Sequence, residues 1–152
     1  MTTRINPYAK AFALVQPLIE LGRKVEGYGL EKSIIELVKI RASQINGCGV
    51  CLDMHSKEAI AAGETAERII MLDAWRETKL FTPREQAALA WTETLTRLAE
   101  KGAPDEVYEQ VKAQFNDEEQ VALTLIIGVI NSFNRIGAGF HVPPIGEQRK
   151  AA

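Results

Sequence analysis

Two cysteines and one of the chain's two histidines fall within eight residues, Cys48-Gly-Val-Cys51-Leu-Asp-Met-His55. On a helix, at ~100° per residue, these three side chains share an arc of ~60° over two turns. Positions three apart on a helix face one another at a Cα separation that a disulfide tolerates. A dithiol able to close, with an imidazole one turn beyond it, is equipment for thiol redox chemistry. The thiolate is the reactive form, and an unperturbed thiol titrates near ~8.5, so reactivity requires something that stabilises negative charge. Cys48 follows Asn46-Gly47 and is expected in the first helical turn, beside free amides and the positive end of the dipole. That placement makes Cys48 the more exposed sulfur. His55, four residues after Cys51, can accept a proton or hydrogen-bond to a thiolate. Gly47 and Gly49 lower helix propensity, by ~1 kcal/mol each in a helix interior, and leave room for a reactant to approach the sulfurs.

Other readings of the same residues stand beside this one. Two cysteines can be small core hydrophobes. Cys-x-x-Cys is also a common zinc-ligand pair, which His55 and His141 would complete to four ligands, although His141 lies 86 residues beyond His55. In Phe140-His-Val-Pro-Pro144, His141 reads more simply as a surface or packing residue. Glu36 lies on a helical stripe with Ile40, Ser43 and Gly47; periodicity alone favours a solvated carboxylate, because glutamate is rarely buried without a partner. Trp75 and Trp91 read as core or interface aromatics.

A chain of 152 residues suffices for one domain, here residues 1–152, with a core that needs no disulfide staples. A net charge of −2 offers no basic footprint for nucleic acid or anionic membrane. No apolar run approaches the ~20 residues of a membrane span, and MTTRINPYAK does not read as a signal peptide. Two closely spaced cysteines are too few for a secreted disulfide framework. These features point to a soluble cytoplasmic protein that binds neither nucleic acid nor membrane.

The elements that must position the pair read as helices throughout, and alternating strand patterns with hairpin turns are missing. Pro7 and Pro17 suit first-turn positions, predicting helices over 7–15 and 17–28. The segment 31–45 carries Ile34, Leu37, Val38, Arg41 and Ile45 at helical spacing and stops at Asn46-Gly47. The next helix runs from about Cys48 to Ala62, and Thr65 caps one over 66–77. Thr82-Pro83-Arg84-Glu85 is a capping box opening a helix to about Lys101. Pro104 starts another to about Phe115. Asn116-Asp-Glu-Glu119 resembles a second capping box, and the following segment to Phe140 is apolar nearly all round, as a central core helix or a subunit interface would be. The expectation is an all-α, single-domain bundle of about six to seven helices.

Glu36, eleven intervening residues, then Cys48-x-x-Cys51-x-x-x-His55 resembles the active-site signature of alkylhydroperoxidase D-like proteins, within the carboxymuconolactone decarboxylase superfamily. The surrounding segments ELVKIRASQINGCGVCLDMHSKEA, DAWRET, FTPREQAALAWTETLTRL and VINSFNRIGAGFHVPP agree, so the resemblance spans about residues 15 to 145. It implies an all-α fold assembling into dimers, trimers or hexamers. It also implies a peroxidase in which Glu36, His55 and a water relay protons for the dithiol, so that Glu36 faces the site. Cys51 is then the sulfur that attacks an organic hydroperoxide, and Cys48 resolves the sulfenic acid to a disulfide. A separate dithiol donor, a lipoyl-bearing adaptor, a thioredoxin-like protein or a small thiol, completes the cycle. No metal, flavin or nicotinamide is implied. One position departs from the best-known peroxidase members, which carry a second histidine between the cysteines where this chain has Val50. Decarboxylase members lack the cysteine pair. The resemblance leaves two alternatives: a thiol–disulfide oxidoreductase or redox sensor using the same pair, and a non-enzymatic zinc-binding oligomer.

Overall fold

The computed structural model describes residues 2–148. Among them the regular structure is all helical: α1 (Pro7–Lys10), α2 (Phe12–Val25), α3 (Lys32–Asn46), α4 (Gly49–Ala61), α5 (Ala66–Met71), a 3₁₀ segment (Leu72–Glu77), α6 (Pro83–Thr96), α7 (Leu98–Lys101), α8 (Asp105–Gln114), α9 (Asp117–Gly139) and α10 (Ile145–Gln148). The helical segments outnumber the six or seven expected, because short turns break off from the long helices.

Helix α3 is the hub, with α4, α6 and α9 packed around it. Its buried residues run almost continuously from Ile34 to Ser43 and include two charged ones, Glu36 and Arg41. Around one side of α3, Val25, Ile34, Ile35, Val38, Trp91, Phe115, Leu123 and Ile127 form the larger core cluster. Around another, Leu37, Ile40, Leu72, Trp75, Phe81 and Leu89 form a second. The buried charges are paired as low-dielectric surroundings demand: Arg41 donates from Nε to Glu93 at 2.8 Å and also pairs with Asp73.

Helix α9 turns Leu123, Ile126, Ile127 and Ile130 inward and leaves Val121 and Leu125 exposed, so it is a flanking helix with one face uncovered. Its 23 residues are long and apolar enough to cross a membrane by length and composition, contrary to the expectation that no apolar run approaches that length. Packing against α2, α3, α4 and α6 accounts for the inward part of that apolar surface.

The punctuation explains most boundaries. Both capping boxes form, at Thr82/Glu85 and Asn116/Glu119. Thr65 accepts from the Arg68 amide, but its helix ends at Met71 and continues as the 3₁₀ segment, with Ala74 out of helical geometry. The helix from Thr82 breaks at Arg97 rather than reaching Lys101 unbroken, and Pro104 is a cap rather than a first helical residue. Pro17 departs from expectation. Asn6 caps a single turn at Tyr8 and Ala9, the chain breaks at Ala11, and α2 begins at Phe12, so Pro17 sits inside it. There it removes the bond its own N–H would have made to the Ala13 carbonyl, and its ring crowds that same carbonyl.

Candidate functional site

The turn joining α3 to α4 sets the cysteines. Gly47 adopts φ +65°, the Gly47 amide donates to the Gln44 carbonyl, and the Cys48 amide donates to the Ser43 carbonyl. This pair of bonds is a Schellman termination, with glycine in its usual left-handed position. Cys48 is then the N-cap residue of α4, and the helix starts at Gly49 rather than at Cys48 itself. Cys51 follows in the first turn. The two form a disulfide with a Cα separation of 5.4 Å.

Their exposure reverses the expectation from the helix terminus. Cys48 is 0% exposed and Cys51 4%. The pair packs with Ala42, Ile130, Val50 and Phe133, and α9 lies against Cys48 at Gly137. Neighbourhood along the chain supplied free amides, but packing across the bundle took away the solvent. Cys51, by contrast, lines a cavity of about 520 Å³ together with Met54, His55, Ile130 and Phe133.

His55, one turn after Cys51 on α4, is buried and lines the same cavity. Its Nδ1 lies 3.1 Å from Glu36 Oε2 and 3.0 Å from Glu58 Oε2. Glu36 is only 4% exposed, not solvated as periodicity alone favoured. Burial pushes the Glu36 carboxyl up, but the His55 hydrogen bond and the Lys39 charge outweigh it, so its pKa is held below the ordinary carboxylate value. An ionised carboxylate can only accept, so Nδ1 carries the hydrogen when His55 bonds to Glu36. Nε2 is the ring nitrogen left for proton exchange. Lys39 Nζ sits 3.3 Å from Glu36 Oε1 and 2.5 Å from Glu26 Oε1, bridging the site to the end of α2.

The structure thus puts Cys51 and His55 on one cavity, with Cys48 bonded to Cys51 and Glu36 joined to the group through its hydrogen bond with His55. Sequence reasoning missed Lys39 and Glu58. Glu58 had a local signal, three residues after His55 and seven after Cys51 on one helical face. Lys39 had a weaker one, as the residue one turn beyond Glu36.

As a metal site the arrangement is a poor match. Ligand atoms of Glu36, His55 and Glu58 do lie within 4.8 Å of one another. The Lys39 ammonium competes for the same carboxylate, and the sulfurs are bonded to each other. His141 falls outside that group: it occupies the left-handed position after α9, at φ +52°, where the Val142 amide reaches back to the Gly137 carbonyl at 2.9 Å. It is a partly exposed chain-reversal residue; the sequence had it as a surface or packing residue.

The remaining cavity wall is mostly apolar and comes from afar, with Ile19 on α2, Ile126 and Val129 on α9, and Val142 and Ile145 beyond it, while Arg23, Lys39 and Glu58 bring charge to it. Asn6 and Tyr8 add polar atoms from the start of the chain. A cavity of this size and lining suits a small apolar ligand.

The carboxymuconolactone decarboxylase family model matches residues 14–94, just over half the chain and the part that carries all four residues. The uncharacterized protein YdfG of Bacillus subtilis is 39% identical over 90% of this chain and 92% of its own length. A crystal structure from Agrobacterium tumefaciens, of a protein of unknown function for which an antioxidant defence role of the AhpD type has been suggested, superposes with a TM-score of 0.91. It is 41% identical and covers 94% of this chain and 98% of that one. The alkyl hydroperoxide reductase AhpD of Bradyrhizobium diazoefficiens is 46% identical, but over only 41 residues, which are 27% of this chain and 22% of that protein. The chain therefore belongs to the carboxymuconolactone decarboxylase family, on its alkylhydroperoxidase D-like side.

Proposed function

We propose that the protein is a thiol peroxidase that reduces organic hydroperoxides through a Cys48–Cys51 dithiol/disulfide cycle. One observation carries the reading: Cys51 opens onto an apolar cavity beside His55, while its disulfide partner Cys48 lies behind it in the core. In the reduced protein, His55 Nε2, or a water bound to it, takes the Cys51 proton. Glu36 holds the opposite ring nitrogen and stabilises the imidazolium that results. The thiolate attacks the O–O bond; the alkoxide leaves with a proton from the relay, and Cys51 becomes a sulfenic acid. Cys48 then attacks that sulfur, releasing water and forming the disulfide. An external dithiol restores both thiols by exchange. In this cycle Cys51 attacks and Cys48 resolves, the assignment that their relative access to the cavity supports.

The test is a thiol count before and after one equivalent of cumene hydroperoxide, with rates. Wild type is expected to lose two thiols per chain and Cys51→Ser none; undiminished peroxide turnover in Cys51→Ser overturns the proposal. A second reading, thiol–disulfide exchange without rapid peroxide reduction, is favoured by Val50, the residue between the cysteines in sequence, which lines the cavity with an aliphatic side chain. Oxidation much faster by a small disulfide than by hydroperoxide would select it. We also propose a homo-oligomer, supported by the exposed Val121 and Leu125 beside Leu21 and Tyr28, which together line a second apolar groove. Sedimentation at micromolar concentration tests this, and a monomer refutes it.

A further inference from the structure

Helix α9 contains three glycines, Gly128, Gly137 and Gly139. Each weakens a helix relative to alanine. A methyl group at Gly128 or Gly139 would meet no atom within 4 Å. At Gly137 it would lie 2.7 Å from Cys48 Sγ, 2.9 Å from Val50 Cγ1 and 3.6 Å from Cys51 Sγ. Gly137 is not among the positive-φ residues, so its backbone conformation does not call for glycine. The sulfur does.

We propose that Gly137 is a positioning residue for the cysteine pair: its missing side chain is the notch that seats Cys48 Sγ within bonding reach of Cys51, and it thereby sets how far the pair favours the disulfide. Three constraints make the notch matter. The Cys48 backbone is fixed from both sides, as the second residue past the end of α3 and the cap of α4. Helix α9 cannot back away cheaply, since Asn134, one turn before Gly137, donates to Ser43 Oγ at 2.9 Å in the core. In the disulfide, Cys48 Sγ is tethered at both ends and must stay near its place. In the dithiol it regains rotation about Cα–Cβ and can swing clear. A methyl at position 137 therefore penalises the disulfide more than the dithiol.

The inference rests on the redox reading only in requiring that the pair cycles; it does not require peroxide. Dithiothreitol is a sufficient probe. Its two thiols pass two electrons to the protein S–S bond, which breaks, while the reagent closes its own ring disulfide and two protons end on the cysteines. The oxidised fraction is measured by alkylation and mass spectrometry across ratios of reduced to oxidised dithiothreitol. For Gly137→Ala the equilibrium constant for the disulfide is expected to fall at least tenfold, a shift of ~30 mV for this two-electron couple. Gly139→Ala on the same helix is expected to stay within twofold of wild type. A folded Gly137→Ala with the wild-type constant overturns the proposal. A thermal double-mutant cycle gives an independent reading. The loss of Tm caused by Gly137→Ala in the oxidised protein should shrink by at least half when Cys48 is also alanine; an equal loss in both backgrounds overturns it. Should Gly137→Ala alone not fold, a folded Cys48→Ala/Gly137→Ala protein supports the notch, and failure of both refutes it.

Discussion

At Cys51 the chemistry depends on a proton that must leave and return, and the groups around His55 are arranged for that traffic. The imidazole is oriented by two carboxylates of different character: Glu36 is buried, whereas Glu58 is exposed. The buried one should matter more, since its interaction with the ring is less screened by water. Glu36→Gln keeps the shape but removes the charge that holds Nδ1–H and stabilises the imidazolium. The variant is expected to form the disulfide with hydroperoxide ~10–100-fold more slowly, within the range general acid–base groups supply. Stopped-flow oxidation checks this, with Glu58→Gln expected to lose less; a Glu36→Gln rate equal to wild type removes the carboxylate from the relay. The cysteine–histidine stack was legible in the sequence because it is local, fixed by helical angles over eight residues. The place of Glu36 was not legible from periodicity, because it depends on α4 folding back 19 residues later to bring His55 against it. Cys48 was misjudged for the same reason, its cover coming from α9.

Among the elements, α3 and α9 carry the junction between them, and a polar seam joins them. Asn46 Nδ2 donates to Asn131 Oδ1 and Asn134 Oδ1, both at 2.9 Å; Asn134 donates to Ser43; and Ser43 Oγ donates to the Lys39 carbonyl at 2.7 Å. Every buried side-chain nitrogen and oxygen among the described residues is satisfied. Removing one member leaves its neighbours buried without partners, so Asn134→Ala is expected to destabilise the fold by ~1–3 kcal/mol, measurable as a lower urea midpoint. A midpoint unchanged from wild type would mean the seam does not hold the two helices. Thr82→Ala, a cap remote from the cysteines, should cost ~1 kcal/mol and leave thiol reactivity untouched. Helix existence was readable from caps and periodicity, as both capping boxes demonstrate. Where a helix broke was less readable: Pro17 looked like a start, yet the break came at Ala11, next to a turn capped by Asn6.

For the molecule as a whole, acid should be the destabilising direction. Burial raises the Glu36 and Glu93 carboxyls, but His55 and Lys39 around the first, and Arg76, Trp75 and Arg41 around the second, hold both below their ordinary values. A carboxyl whose folded pKa is depressed contributes stability that is complete above its unfolded pKa, near ~4.3, and is lost as pH falls through the lower folded value. Urea unfolding midpoints are therefore expected to be flat with respect to these two groups above pH ~5 and to fall below pH ~4. No loss between pH 5 and pH 3 would show that the pairs do not stabilise the fold.

Part of the cavity wall comes from the two extremities of the described chain. Asn6 and Tyr8 approach from one side, Val142 and Ile145 from the other, and Arg4 clasps the carbonyls of Gly139 and Phe140 where the two strands of polypeptide cross. The reactive sulfurs sit at the start of α4, covered by α9, while part of what a reactant would touch on entering belongs to peripheral arms that bear little of the core. Selection, natural or in the laboratory, can therefore retailor what enters while leaving the electron-accepting bond undisturbed.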